Sequence, residues 1–493
     1  MQKINYLIAA FAVLSLGSCK KFLDKQPLAN NTIETFYKTP SDAVAATNSS
    51  YEVLKWDGTY NRAMWVTDMM SGESTASDPS QPQVMDVLNN RASTANSFIY
   101  NVYKAYYTGI YRTNVALEKI PTINFGTDTT KNRLLAENRF LRALYHFNLV
   151  RHFGDVPLVV SYQSDAAASF NIPRSPVATV LAAVIEDLKF AEQYLPTSKQ
   201  YSAGDQGRAT KGAAQGLLTR VYLHANDWAN ASSKANDIIS SGDYGLYDDY
   251  ADNFYGIKKL ARANNGANKE SLFEVQFRAG GGGWAESAAG YWGNEYFGPS
   301  GCGCNLWYGF NWNIPRQTHA DTYEAGDKRK FINIFSIGDD VPGFNKPYIA
   351  DYNPNTGHNI KKWFSGKSET QGLDAPTNIP VIRYSDVILM KAEADARLNN
   401  FGSATTLVNQ IRKRAGLADV TLTSANALDA ILHERRVELA FESVFWFDII
   451  RFGKASEIYK ENTGLDLPSY RYLWPIPQTE RDLVPALTQN PAY

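Results

Sequence analysis

Residues 133–153, RLLAENRFLRALYHFNLVRHF, constrain the fold more than any other stretch of the chain. Ala136, Phe140, Ala143 and Phe147 step by 4, 3 and 4, while Leu134, Leu141, Tyr145 and Leu149 step by 7, 4 and 4. Two apolar stripes on one helix need neighbours on both sides, so this helix belongs inside a helical layer. Gly154 and Pro157 end it. Residues 176–196 repeat the helical period and stop at Pro196.

Residues 207–242 predict two helices joined at Ala225-Asn226-Asp227. Ala213, Ala214 and Gly216 give the first a face small enough for close approach, and Trp228 opens the second. A helix pair of this kind is similar to a tetratricopeptide-type unit. From about residue 245 to 380, glycine, asparagine and aromatic residues take over. Within that stretch ESLFEVQF (270–277) alternates Phe273, Val275 and Phe277 with Glu274 and Gln276, as a half-buried strand does. Helices are predicted again over 387–400, 404–416 and 427–453, with Gly402, Gly416 and Gly453 just past their ends, where a left-handed residue is favoured. The expected fold is therefore mainly α: a tetratricopeptide-type helical-pair scaffold with an irregular, loop-rich insert carrying a few short strands. Its parts are a leader (1–18), an N-terminal helical scaffold (19–245), an aromatic-rich ligand-binding insert (246–380) and a C-terminal helical part (381–493).

The leader has Lys3 before an apolar run, Ile4 to Leu16, that is well short of the ~20 residues a membrane-spanning helix needs. It ends on Leu16-Gly17-Ser18-Cys19, similar to a bacterial lipobox, in which the Cys19 thiol receives a diacylglyceryl group. Each buried CH₂ of an acyl chain contributes about 0.8 kcal/mol, so several chains anchor a protein firmly. No other run of 18 apolar residues occurs. A net charge of −1 lacks the basic footprint that nucleic acid requires. Cys302 and Cys304 are the remaining thiols; a bridge across the single intervening glycine would be strained.

A catalytic set is hard to find. His433-Glu434 is followed by Arg435-Arg436 and not by a second histidine, and no G-x-S-x-G elbow occurs. Residues 351–359, DYNPNTGHN, begin like a calcium loop, but the glycine falls one place late and Lys362 stands where a glutamate should be. An Asn-rich turn is the favoured reading, with a structural calcium as its alternative. Glu434, Glu438 and Glu442 line one helix face at a spacing compatible with a glycosidase pair. Neighbours on one helix seldom flank a sugar from opposite sides, so an ion-pair network is expected, with Arg435, Arg436 and Arg451 as nearby partners. The richer signal is WAESAAGYWGNEYFGPSGCGCNLWYGFNW (284–312), in which nine of 29 residues are aromatic. Aromatic faces pack on the C–H faces of sugar rings, which makes Trp284, Tyr291, Trp292, Tyr296, Trp307, Tyr308 and Trp312 candidate ligand contacts. Trp65 and Asp68, which precede a polar loop, form a second candidate surface.

With these residues in view, the chain resembles the SusD/RagB family of Bacteroidota outer-membrane lipoproteins along nearly its whole length. The resemblance is carried by SCKKFLDKQP (18–27), AENRFLRALYHFNLVRHFGDVPLV (136–159), GRATKGAAQGLLTRVYLHANDW (207–228), PVIRYSDVILMKAEADARLNN (380–400), LVNQIRKRAGL (407–417), ERRVELAFES (434–443) and LWPIPQTERDLVPALTQNPAY (473–493). It implies a non-catalytic binder without a cofactor, held by Cys19 in the outer membrane and facing the cell exterior. Its implied partners are a glycan and a SusC-like TonB-dependent transporter, with peptide in place of glycan in the RagB branch as the alternative. The chain departs from the family's pattern at Lys20 and Lys21, which follow Cys19 where surface-exported relatives often carry acidic residues, and at two later positions. Ser443 stands where glycine is usual, and Phe445 stands where arginine is usual, which removes one local ion pair.

Overall fold

Thr39 starts a helix by the chemistry its neighbours announce. Its hydroxyl accepts from the Asp42 backbone N–H at 3.3 Å, the Asp42 carboxylate accepts from the Thr39 N–H at 2.7 Å, and Pro40 presets the first turn. This is α1 (Pro40–Glu52). The computed structural model describes residues 33–76, 80–165, 171–254, 268–279, 290–300, 309–341, 346–353, 355–364 and 375–493. The leader with Cys19, and Cys302 and Cys304, lie outside the described residues.

After α1 come α2 (Ala63–Met69), α3 (Ser97–Lys119), α4 (Asp128–Phe153), α5 (Val177–Tyr194), α6 (Lys211–His224) and α7 (Trp228–Ser241). Every residue of α4 from Phe140 to Phe153 is buried. Its two apolar stripes are covered by α3 on one side and α5 on the other. α5 packs on α6, and α6 on α7. The array then passes straight across the insert, because α7 packs on α8 (Tyr384–Arg397), which in turn packs on α9 (Phe401–Ala415) and α10 (Ala427–Glu438). The result is a tetratricopeptide-like array of antiparallel helices with few, short strands.

The insert is clasped at its neck. β1 (Ser271–Val275) pairs antiparallel with β2 (Ile379–Arg383), Ser271 opposite Arg383 and Val275 opposite Ile379. This ribbon lies on α6 at Gly216, where an added Cβ would come within 2.9 Å of Leu272 and 3.1 Å of Ile382. The predicted small-residue face of α6 therefore seats the ribbon. One core cluster runs from Val53 to Leu487 and takes in residues of the insert. A small second cluster, Phe335, Val341, Tyr348 and Phe364, stays within the insert. Among the described residues, no helix is long and apolar enough to cross a membrane.

Two expectations need correction. The helix expected over 427–453 is broken into α10 and α11 (Phe445–Arg451). Between them Phe441 and Ser443 both take φ of 62°. The carbonyls that a continuous helix would have used are occupied by side chains from elsewhere. Tyr250 Oη donates to Glu438 O at 2.7 Å, Lys362 Nζ to Ala440 O at 2.9 Å, and Trp363 Nε1 to Phe441 O at 2.9 Å. Gly402 does not follow a helix end; it lies in the first turn of α9. The left-handed residue there is Asn399, at φ 63°, and Asn400 caps α9 through a bond from the Ser403 N–H. Gly416 and Gly453 do adopt the left-handed conformation, at 82° and 72°.

Candidate functional site

The insert meets the scaffold at an aromatic cluster. Trp65, on α2, lies 5.3 Å from the Tyr296 and Phe297 rings and 6.0 Å from Trp312. Trp292 stacks beside Tyr296 at 6.4 Å. Backbone bonds fix the frame: Trp292 N donates to Asn61 Oδ1 at 2.9 Å and Trp312 N to Tyr296 O at 2.8 Å. Ser74–Thr75 pair antiparallel with Ile314–Pro315. Tyr291 is held by its N–H to Ala375 O at 2.8 Å, and its ring lies where a Cβ on Gly293 would have to be.

The geometry revises the candidate ligand set. Trp65, Asp68, Tyr291, Trp292, Tyr296 and Trp312 are each at most 4% exposed. Their faces are spent on one another, so they form a packed junction and not an open platform. Asp68 is a buried carboxyl whose pKa burial pushes well up; Ser443 Oγ faces it at 3.4 Å. Trp284, Trp307 and Tyr308 lie outside the described residues.

The three glutamates do not share one helix face, because α10 ends at Glu438 and Glu442 lies in the break after it; they still form an ion-pair network, as expected, but with other partners. Glu434 binds Arg329 at 2.8 Å and Arg412 at 2.7 Å. Glu438 binds Arg383 at 2.7 Å and also Arg414. Glu442 binds Lys362 at 2.6 Å and Arg383 at 2.8 Å. The sequence-near arginines point elsewhere: Arg435 to Asp386 and Asp448, Arg436 to Glu73, and Arg451 to Glu393 and Asp448. Burial alone would raise the Glu438 pKa, but Arg414, Arg383 and Arg329 outweigh it and hold the group well below the usual range. A glycosidase acid needs a raised pKa and access to substrate. Glu438 is fully buried and held ionised, so it offers neither.

Phe445 lies under the Arg436 guanidinium, which stands 5.6 Å from its ring centre. One cluster has metal-like spacing: donor atoms of Glu324, His433 and Glu434 lie within 4.8 Å of one another. Both Glu324 oxygens are taken by Arg412 at 2.6 and 3.0 Å, and the Glu434 oxygens by Arg412 and Arg329. That donor set fits guanidinium, not a cation held between carboxylates. In the loop at 351–359, Asn353 Nδ2 donates to His358 O at 2.5 Å and its Oδ1 accepts from Asn355 N at 3.2 Å, so the turn closes on its own asparagine. Lys362 lies in the interior, where burial lowers its pKa to about 8.

Density of aromatics in sequence also hid a feature outside the insert. Tyr103, Tyr107 and Tyr111 recur every fourth residue along α3, a ladder legible in the sequence by its spacing.

Comparison with known proteins gives two matching family models: SusD family over residues 341–493, and starch-binding associating with outer membrane over residues 21–223. A SusD-like protein of Formosa agariphila is 27% identical over 100% of this chain and 99% of its own length. Among solved structures, a laminarin-binding SusD-like protein is 26% identical, covers 93% of this chain and 100% of that one, and superposes with a TM-score of 0.78. A SusD superfamily protein from Parabacteroides distasonis is 28% identical, covering 92% and 99%, with a TM-score of 0.76.

Proposed function

The chain belongs to the SusD/RagB family, and on that premise we propose that it is a non-catalytic, lipid-anchored glycan-binding protein of the outer membrane that captures oligo- or polysaccharide and passes it to a SusC-like TonB-dependent transporter. The observation that carries this reading is the full-length likeness to a laminarin-binding relative. The sealed glutamate row supports a binder over a hydrolase, since its carboxylates are committed to arginine and lysine. We assign the ligand contacts to Trp284, Trp307 and Tyr308. The packed junction of Trp65, Tyr296 and Trp312 gives the described part of the insert a rigid footing on α2. A rigid footing reduces the ordering cost of binding, which matters because an open aromatic surface exchanges wet contacts for wet contacts and gains little per ring.

The test is electrophoretic retardation of the mature protein in gels containing plant, host and microbial polysaccharides, with mixed peptides titrated by calorimetry. Retardation by one glycan class that falls sharply when Trp284, Trp307 and Tyr308 are changed to alanine is the expected result. Binding to peptides alone would transfer the protein to the RagB-like alternative, and turnover of any glycan would overturn the non-catalytic reading.

A further inference from the structure

We infer that the groove between α3, residues 157–164 and the C-terminal tail is a second carbohydrate site, separate from the insert, that takes a neutral oligosaccharide. The groove encloses about 520 Å³, within the range of ligand sites. Tyr103, Tyr107 and Tyr111 form its α3 wall, and Tyr162, Gln163 and Glu480 face them.

The wall is graded. Tyr103 is buried at the floor, Tyr107 is half-buried, and Tyr111 is 49% exposed at the rim. Tyr103 and Tyr107 lie 4.7 Å apart, and Tyr111 meets Tyr162 at 5.9 Å with the rings inclined by 66°. The opposite wall is pinned before any ligand arrives. Tyr107 Oη donates to Pro157 O at 2.8 Å, Asn114 Nδ2 to Val159 O at 2.9 Å, and Arg142 Nη1 to Val160 O at 2.6 Å. A groove with fixed walls loses little entropy on binding.

The chemistry of the lining selects the ligand. Inclined tyrosine faces suit the C–H faces of pyranose rings. Gln163, Ser161 and Ser164 supply amide and hydroxyl groups at the rim. Glu480 is the single charged residue among those lining the groove, is partly buried, and makes no ion pair among the described residues. A carboxylate in an aromatic groove, with Lys104 acting on it only through space, disfavours an apolar peptide or a helix face, because covering it would add a desolvation cost that such a ligand does not compensate. Sugar hydroxyls compensate it by donating to both oxygens. Glu480 sets the sign of charge within the lining, while Lys119, 5.8 Å from the Tyr162 ring centre, and Lys104 stand beside the groove, so a neutral sugar fits the lining better than a uronate or a sulfated sugar.

The measurement is saturation-transfer NMR and titration with laminarihexaose, maltohexaose, cellohexaose and mannohexaose, with oligogalacturonate as the acidic control. The protein is the intact mature chain carrying Trp284→Ala, Trp307→Ala and Tyr308→Ala, so that the proposed insert site is silent. Transfer from at least one neutral hexasaccharide, none from oligogalacturonate, and about tenfold weaker binding after adding Tyr111→Ala and Tyr162→Ala is the expected result. Glu480→Gln, which keeps the size of the side chain, should weaken binding in the same direction. No transfer from any of the four sugars, or transfer unchanged by the tyrosine and Glu480 variants, overturns the inference. Failure of the proposed function reads differently, as loss of glycan retardation in the unmutated protein.

Discussion

Ser443 shows how a single residue records a backbone decision. Its φ of 62° lies in the left-handed region, which costs a side chain about 1 kcal/mol and costs glycine nothing. Glycine is therefore the residue expected in this turn, and serine is kept here beside Asp68. Ser443→Gly should raise stability to denaturant by up to about 1 kcal/mol, less whatever the Asp68 contact contributes. The departure from the family's pattern was legible in the sequence; its meaning was not, because a dihedral angle is set by what the chain packs against. Arg383 is the opposite case. It holds Glu438 and Glu442 together, and it donates to the Glu438 carbonyl at 2.6 Å. Arg383→Ala leaves two buried carboxylates short of a partner and should cost about 3–5 kcal/mol in chemical denaturation. The glutamate row was visible as a 4-residue repeat, but Arg383 is 55 residues from Glu438 and Arg329 is 105 residues from Glu434, so no local pattern could name them.

At the scale of elements, the helices followed from periodicity because each apolar stripe needs only its own chain to be written. The approach of α3 to α4 depends on Gly109, where a Cβ would fall 2.4 Å from the Tyr145 ring. That ring is fixed by its hydroxyl donating to Ser50 O at 2.6 Å, so it has no room to yield. Gly109→Ala should destabilise the protein by about 1–3 kcal/mol in thermal or denaturant unfolding through overpacking, even though alanine favours helix. The break between α10 and α11 was invisible for a related reason. Residues 427–452 hold no glycine or proline to mark a stop, and the helix ends where Tyr250, Lys362 and Trp363 offer its carbonyls better partners. Which rings of the insert pack was hidden for the same reason: burial of Trp65, Trp292, Tyr296 and Trp312 is a property of two distant segments meeting.

For the whole molecule, the buried titratable groups predict acid lability. Burial lowers His146 and His152 from 6.5 to about 3. Burial would raise Asp386, but Arg220 and Arg435 outweigh it and lower the group from 3.8 to about 2. All three pKa values are depressed on folding, so their stabilisation is complete above the unfolded values and is lost as pH falls through the folded ones. These three groups should lower the melting temperature progressively below about pH 6.5 and steeply between pH 4 and 2, with Asp386 alone worth on the order of 2 kcal/mol, while Asp68, whose raised pKa acts in the opposite sense, offsets part of the loss. Localisation is a second property of the whole chain. Cys19→Ala should leave an exported protein that moves from the membrane to the soluble fraction and no longer takes up labelled fatty acid, since nothing else in the sequence matches an acyl anchor.

The sequence alone determined that this chain is a layered helical array interrupted by an aromatic-rich stretch. Periodicity, breakers and short motifs are local, and local chemistry is enough to write them. Only the tertiary structure decided which aromatics are packing, which arginines seal the glutamate row, where the last long helix breaks, and that a ladder of tyrosines on α3 opens onto a groove. Those outcomes depend on which surfaces exclude water from one another, and that is settled by segments far apart in the chain coming together.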